Sequence, residues 1–147
     1  MDEVERMLRE ARTIALYDWP GPEMPATLHR AGYLVVGHEP DGAKHYHVSA
    51  VSEGPNACPL GDGTFLESSP LERLPENVDI VAAYRPPDEQ LGIAREAARL
   101  GAKCYWLEPG AGSSEEARSF AMDAGMAFIE GEGLAAAVTR LGVRVSG

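Results

Sequence analysis

From residue 78 onward the chain alternates short apolar runs with longer amphipathic ones, and that alternation constrains its fold more than any other feature. Val78-Asp79-Ile80-Val81-Ala82-Ala83-Tyr84 has the length and β-branched content of a buried strand, and Arg85-Pro86-Pro87-Asp88 turns it into a helix. The helix is predicted over 87–100, with Leu91, Ala94, Ala98 and Leu100 along one side and Gly101 as its stop. A strand at 103–107, a helix at 114–124 with Ser113 as cap, a strand at 126–129 and a helix at 134–141 follow. Strands and helices of these lengths in strict alternation are βαβ units. They require a parallel sheet covered on both faces, with right-handed crossovers.

The N-terminal third begins in the same way. Val4, Met7, Leu8 and Ala11 fall at helical spacing within 2–11, with acids in the first turn. Thr13-Ile14-Ala15-Leu16-Tyr17 is then a buried strand, stopped by Asp18-Trp19-Pro20-Gly21-Pro22-Glu23-Met24-Pro25. A helix over 26–31 ends at Gly32, and 33–38 forms the second strand. From 39 to 70 no period survives the breakers Gly42, Gly54, Gly61, Gly63, Pro40, Pro55 and Pro59. That segment reads as a long loop, functional or mobile, with one short edge strand at 64–66 and a helical turn at 71–74 capped by Ser69. No internal repeat or low-complexity tract interrupts the pattern.

A chain of 147 residues with a formal net charge of −10 fits one domain, 1–147. A domain of this size buries roughly 68–70% of its unfolded surface, enough for a core without staples. The charge argues against nucleic acid and against anionic membrane surfaces as partners, since both attract basic patches. Two cysteines, Cys58 and Cys104, do not make a disulfide framework. No run approaches the ~18 apolar residues of a membrane span, and the acidic N-terminus has no hydrophobic leader. The expectation is a soluble cytoplasmic protein.

Chemical motifs are sparse. His45-x-His47 with Cys58 in the same segment offers metal ligands, but a lone pair of this kind also reads as a solvated turn, and no metal site is assigned. Cys104 sits inside an apolar run, the place of a core thiol rather than a nucleophile. Gly110-x-Gly112 before a helix is little more than a turn, and Glu130 and Glu132 read as a solvated loop. No nucleophile elbow, phosphate-loop signature or spaced cysteine pair occurs, so no catalytic residue is assigned.

Two longer stretches carry a resemblance. Leu71-Glu72-Arg73-Leu74-Pro75-Glu76-Asn77-Val78-Asp79-Ile80-Val81 with Tyr84-Arg85-Pro86-Pro87 is one. Gly101-Ala102-Lys103-Cys104-Tyr105-Trp106-Leu107-Glu108-Pro109-Gly110, then Glu115-Glu116-Ala117 and Ala124-Gly125-Met126, is the other. Together with Gly32-Tyr33 and Pro40 they resemble the coenzyme A-binding domain family. Its members are small Rossmann-like domains, akin to the nucleotide-binding part of the succinyl-CoA synthetase α chain and often free-standing in bacteria. The resemblance implies a three-layer α/β/α domain with a mainly parallel sheet of about five strands, and coenzyme A as a small-molecule cofactor.

By the same resemblance the ligand lies over the carboxyl ends of the first strands, next to Asp18, Trp19 and Pro20, Glu39 and Pro40, and Tyr84, Arg85 and Pro86. The last two groups fit the family pattern as a turn after the second strand and a Phe-Arg-x-Pro turn after the central one. The first does not, because Asp18-Trp19-Pro20 replaces a Gly-x-Ser loop that supplies N–H groups to phosphates. The late Asp-x-Cys reads Glu130-Gly131-Glu132. Pro20, Pro22 and Pro25 lack N–H donors, and an Asp18 carboxylate repels a phosphate charge by about 1 kcal/mol at 4 Å in water. Arg85 is the counterweight if it faces the same crevice, with a surface salt bridge as its alternative. Trp19 has two readings, a stacking surface for adenine or a plug that fills the emptied pocket, and Asp18 either stabilises the loop or touches ligand.

The expected function is therefore non-catalytic binding of coenzyme A or a related adenine nucleotide. Its rivals are a family member that has lost the ligand and serves as a protein-interaction module, and a small enzyme using the same crevice. A protein partner is left open.

Overall fold

The structure, a computed structural model, describes residues 1–40, 42–52, 54 and 56–145. Among them is one continuous eight-stranded sheet. Helix α1 (Glu3–Glu10) precedes strand β1 (Thr13–Tyr17), followed by α2 (Glu23–Arg30) and β2 (Leu34–Glu39). Strands β3 (Gly42–Ser49), β4 (Cys58–Pro59) and β5 (Phe65–Leu71) come next, then β6 (Ile80–Ala83), α3 (Pro87–Arg99), β7 (Cys104–Leu107), α4 (Glu115–Asp123), β8 (Ala127–Ile129) and α5 (Leu134–Leu141). The spatial order is β4-β5-β3-β2-β1-β6-β7-β8. Five strands, β2-β1-β6-β7-β8, are parallel, as the alternating pattern requires.

Side-chain alternation along these strands builds two cores. Ile14, Leu16, Val35, Ile80, Cys104 and Trp106 face one way, against Leu8 of α1, Leu28 of α2 and Leu134 and Val138 of α5. Ala15, Tyr17, Val36, Val81, Tyr105 and Leu107 face the other, against Ile93, Ala94 and Ala97 of α3 and Ala117 and Ala121 of α4. The result is the expected α/β/α sandwich. Because the chain leaves β1 toward β2 on one side and later returns to β6 on the other, the order reverses between β1 and β6. Open α/β sheets bind ligands outside the carboxyl ends of strands at such a reversal.

The segment after β2 is not a loop. β3 turns back on β2 in antiparallel register, Val35 opposite Tyr46 and Glu39 opposite Gly42, and β5 pairs along nearly the whole of β3. The expected short strand at 64–66 is the start of β5, and the sheet edge is β4, where Cys58 pairs with Leu66. Half-polar strands such as Ala43-Lys44-His45-Tyr46-His47 bury only Ala43 and Tyr46 fully, so they read as loop when a continuous apolar run is the template. Ser69 caps nothing, because it pairs with His45, and residues 72–74 form no helix. Pro55, counted above among the breakers, lies outside the described residues.

Three local expectations are also corrected. α2 starts at Glu23, because a proline at its third position occupies the first turn, where N–H groups have no intrahelical partner. The cap of α4 is Ser114, whose hydroxyl accepts from the Ala117 N–H at 3.2 Å, and not Ser113. The buried side of α3 is Gln90, Ile93, Ala94 and Ala97, one step round from the stripe through Leu91.

Candidate ligand crevice at the ends of β1, β2 and β6

Asp18 is the first residue past β1 and has φ 68°, the left-handed region that glycine occupies most easily. Its short carboxylate makes this conformation tolerable, because Oδ1 accepts the Trp19 N–H at 2.8 Å. Oδ2 accepts from Arg85 Nη1 at 3.0 Å, across the gap between the loops after β1 and β6. Arg85 is also gripped from behind by Glu89 in the first turn of α3, Nε to Oε1 at 3.2 Å and Nη2 to Oε2 at 2.7 Å. These two carboxylates raise the Arg85 pKa further, Glu89 first. The arginine thus spans the gap between the two loops in a salt bridge, the alternative that the sequence left open for it.

Trp19 turns the other way, toward β2 and β3. Its ring meets Tyr46 edge-to-face, centroids 5.0 Å apart at 77°, and lies over Gly37. A Cβ at Gly37 would stand 2.6 Å from the Tyr46 ring and 3.2 Å from Trp19, so only glycine leaves room for this pair. The tyrosine hydroxyl donates to Glu39 Oε1, and Lys44 Nζ lies 3.5 Å from Glu39 Oε2. Trp19, Tyr46 and Glu39 therefore form one chain of contacts at the β1–β2 edge. Tyr46 was missed from sequence because β3 itself was.

Of the remaining expected residues, Pro20 is exposed beside Trp19, and Pro40 is exposed at the turn out of β2. Glu39 and Pro40 also border a groove of about 800 Å³ that continues along α3 to Glu96 and Arg99. Tyr84 donates its N–H to the Tyr17 carbonyl at 3.0 Å and rests its ring near Gly110. Pro86 precedes the first residue of α3. The structure brings Asp18 to Arg85 and Trp19 to the neighbourhood of Glu39. It sets Tyr84 on the far side, toward the loop after β7.

A second missed residue is Gln90, wholly buried one turn into α3. Its Nε2 donates to the carbonyls of Arg85 (3.0 Å) and Gly112 (2.8 Å), tying the loop after β6 to the loop after β7. A polar residue on an apolar helix face was the available signal. Below the crevice Tyr17 stacks on His38 at 4.6 Å, and burial pushes its phenol pKa up. The third, Glu108, is buried at the end of β7 and accepts the Leu134 N–H at 2.8 Å, holding the N-terminus of α5. Burial raises its pKa, with that hydrogen bond opposing.

The other chemical candidates resolve as structure. His45 and His47 lie on β3 rather than in a turn, and His29 of α2 joins them, with the His29 and His47 rings 6.5 Å apart. Burial, then their neighbours, lowers the pKa of His29 and His45. No group of three His, Cys, Asp or Glu among the described residues is placed to hold a metal ion. Cys104 is buried, its thiol pushed up to about 12. Glu132 is not free in its loop but binds Arg140 through both oxygens, at 2.8 and 2.9 Å.

Comparison with known proteins adds the decisive observation: the model of a family described as CoA binding domain matches residues 18–138, most of the chain. The chain belongs to the CoA binding domain family. Its fold is also that of solved structures. It is similar to cell-free ID.343 from Thermus thermophilus, with 24% identity, a TM-score of 0.63, and 96% of this chain and 99% of that one covered. A hypothetical protein from Pyrococcus horikoshii OT3 is similar at 20% identity and TM-score 0.63, covering 96% and 92% of the two chains. No described helix is long and apolar enough to cross a membrane.

Proposed function

We propose that this CoA-binding-domain protein binds coenzyme A or a related adenine nucleotide in the crevice at the ends of β1, β2 and β6, without catalysis of its own. The observation that carries the reading is Arg85, which reaches over the strand-order reversal toward the loop after β1. A guanidinium there is a phosphate ligand in the making, since its planar fork matches phosphate oxygens as well as it matches Asp18. Family membership supports the ligand class. In this reading the chain works as a single domain in the cytoplasm.

Binding requires exchange, because Asp18 already fills the anion position on Arg85. The loop supplies few replacement donors: the Met24 and Ala26 N–H groups are taken by the carbonyls of Gly21 and Pro22, and Glu23 adds a negative charge. The seated Trp19 and the Asp18–Arg85 pair favour a second reading, a family member whose crevice is closed and whose role is interaction with protein. Calorimetric titration with coenzyme A and ADP separates the two. The first reading expects saturable binding weakened at least tenfold by Arg85→Gln. Absence of binding to both compounds would overturn it in favour of the second.

A further inference from the structure

We propose that two copies of this chain pair through β8, edge to edge and antiparallel, so that their sheets run on as one. Among the described residues no strand lies beyond β8, and a groove of about 920 Å³ opens there, with β8 as its floor, α1 as one wall and α4 as the other. Val4 and Met7 of α1, Phe128 of β8 and Met122 of α4 line it, and Met122 is 56% exposed. The Ala127 N–H is spent on the Lys103 carbonyl of β7, so the alternation of the strand turns the Phe128 N–H and C=O toward the open side. The other edge of the sheet, β4, ends in Pro59, which has no N–H to offer. β8 carries no such block.

Charge favours a second copy as the occupant. In the groove Arg6, Lys103 and Arg118 are set against Glu3, Glu10 and Glu130, while Asp79 is engaged by the N–H groups of Arg12 and Thr13 at 2.8 and 3.0 Å. The groove is thus close to neutral on a chain whose net charge is −10, and here another copy escapes the repulsion it meets elsewhere on the surface. The register supplies a specific pair. Two-fold pairing about Phe128 places Met126 opposite Glu130 of the second copy. Cys104 is in register with Ala127, so Lys103 flanks Met126 on its inner side, and Met126, Phe128 and Tyr105 share one face of the sheet. Exposed Lys103 and exposed Glu130 of the second copy therefore flank Met126 on that face, once at each end of the paired strands. The same two-fold brings the α4 helices side by side and covers Met122.

Sedimentation equilibrium of the whole protein at micromolar concentration should show a dimer. Lys103→Glu and Glu130→Lys, both at exposed positions, should each weaken it about tenfold, because either change sets like charges together at both ends of the paired strands. Glu130→Lys should do so although it reduces the net negative charge, which sets the pair apart from general repulsion. Mixing the two variants in equal amounts should restore a dimer as tight as the original, since the mixed pair has one Lys–Glu contact at each end. A monomer at every concentration would overturn the proposal, as would a dimer that neither variant weakens or that mixing does not restore.

Discussion

Asp18→Asn removes one charge from the crevice and little else. Asparagine tolerates the left-handed backbone at φ 68° and keeps an oxygen for the Trp19 N–H, so the loop should hold its shape. The lost partner of Arg85 is an ion pair with side chains 40% and 47% exposed, whose contribution to stability is small, and Glu89 remains. The consequence for a phosphate placed on Arg85 is larger. Two unit charges 4 Å apart repel by about 1 kcal/mol in bulk water and about 4 kcal/mol at an effective dielectric of 20. The half-exposed pair lies toward the watery limit, so affinity for ADP should rise by about five- to tenfold. It should rise further when Trp19 and Pro20 are also changed, as in Gly-Ala-Ser at 18–20. Calorimetry at low and high salt is the assay, the gain shrinking as salt screens the charge. An Asp18→Asn protein with an unchanged melting temperature and unchanged affinity would refute the argument that this carboxylate limits binding.

Gly37→Ala should cost about 1–3 kcal/mol in urea unfolding, because the new methyl falls 2.6 Å from the Tyr46 ring and 3.2 Å from Trp19. Glu108→Gln should steepen part of the acid limb of the stability–pH curve. Burial raises the folded-state pKa of Glu108, so its protonated form contributes stability fully below the ordinary value of 4.5, and this is lost as pH rises through the raised value. The glutamine variant should therefore be the more stable at neutral pH and lose its advantage below about pH 4; equal pH dependence would show that Glu108 does not titrate as its burial demands. With a thiol reagent at pH 8 the folded protein should react at half-buried Cys58 only, and at Cys104 after unfolding, since the latter thiol is buried and held near 12. Fast modification of Cys104 in the native state would contradict its placement.

Sequence alone determined the parallel half of this protein. In 78–141 strands β6 and β7 are buried on both faces and each helix on one, so burial writes itself as unbroken apolar runs and helical periods, and α5 falls at Leu134–Leu141 as predicted. Most of the stretches that carry the family resemblance, from Leu71 to Met126, lie in that same half, and the anomaly of Asp18-Trp19-Pro20 was legible as missing N–H donors and an added charge. The antiparallel strands β3, β4 and β5 were not legible beyond the start of β5, because few of their residues are fully buried and their place is set by pairing with one another and with β2. Only the tertiary structure decided what the anomalous loop does. It puts the Asp18 carboxylate on Arg85, 67 residues away, and lays Trp19 on a glycine of β2 and a tyrosine of β3. Contacts between residues so distant in sequence depend on which strands are neighbours, and no local pattern of hydrophobicity encodes that.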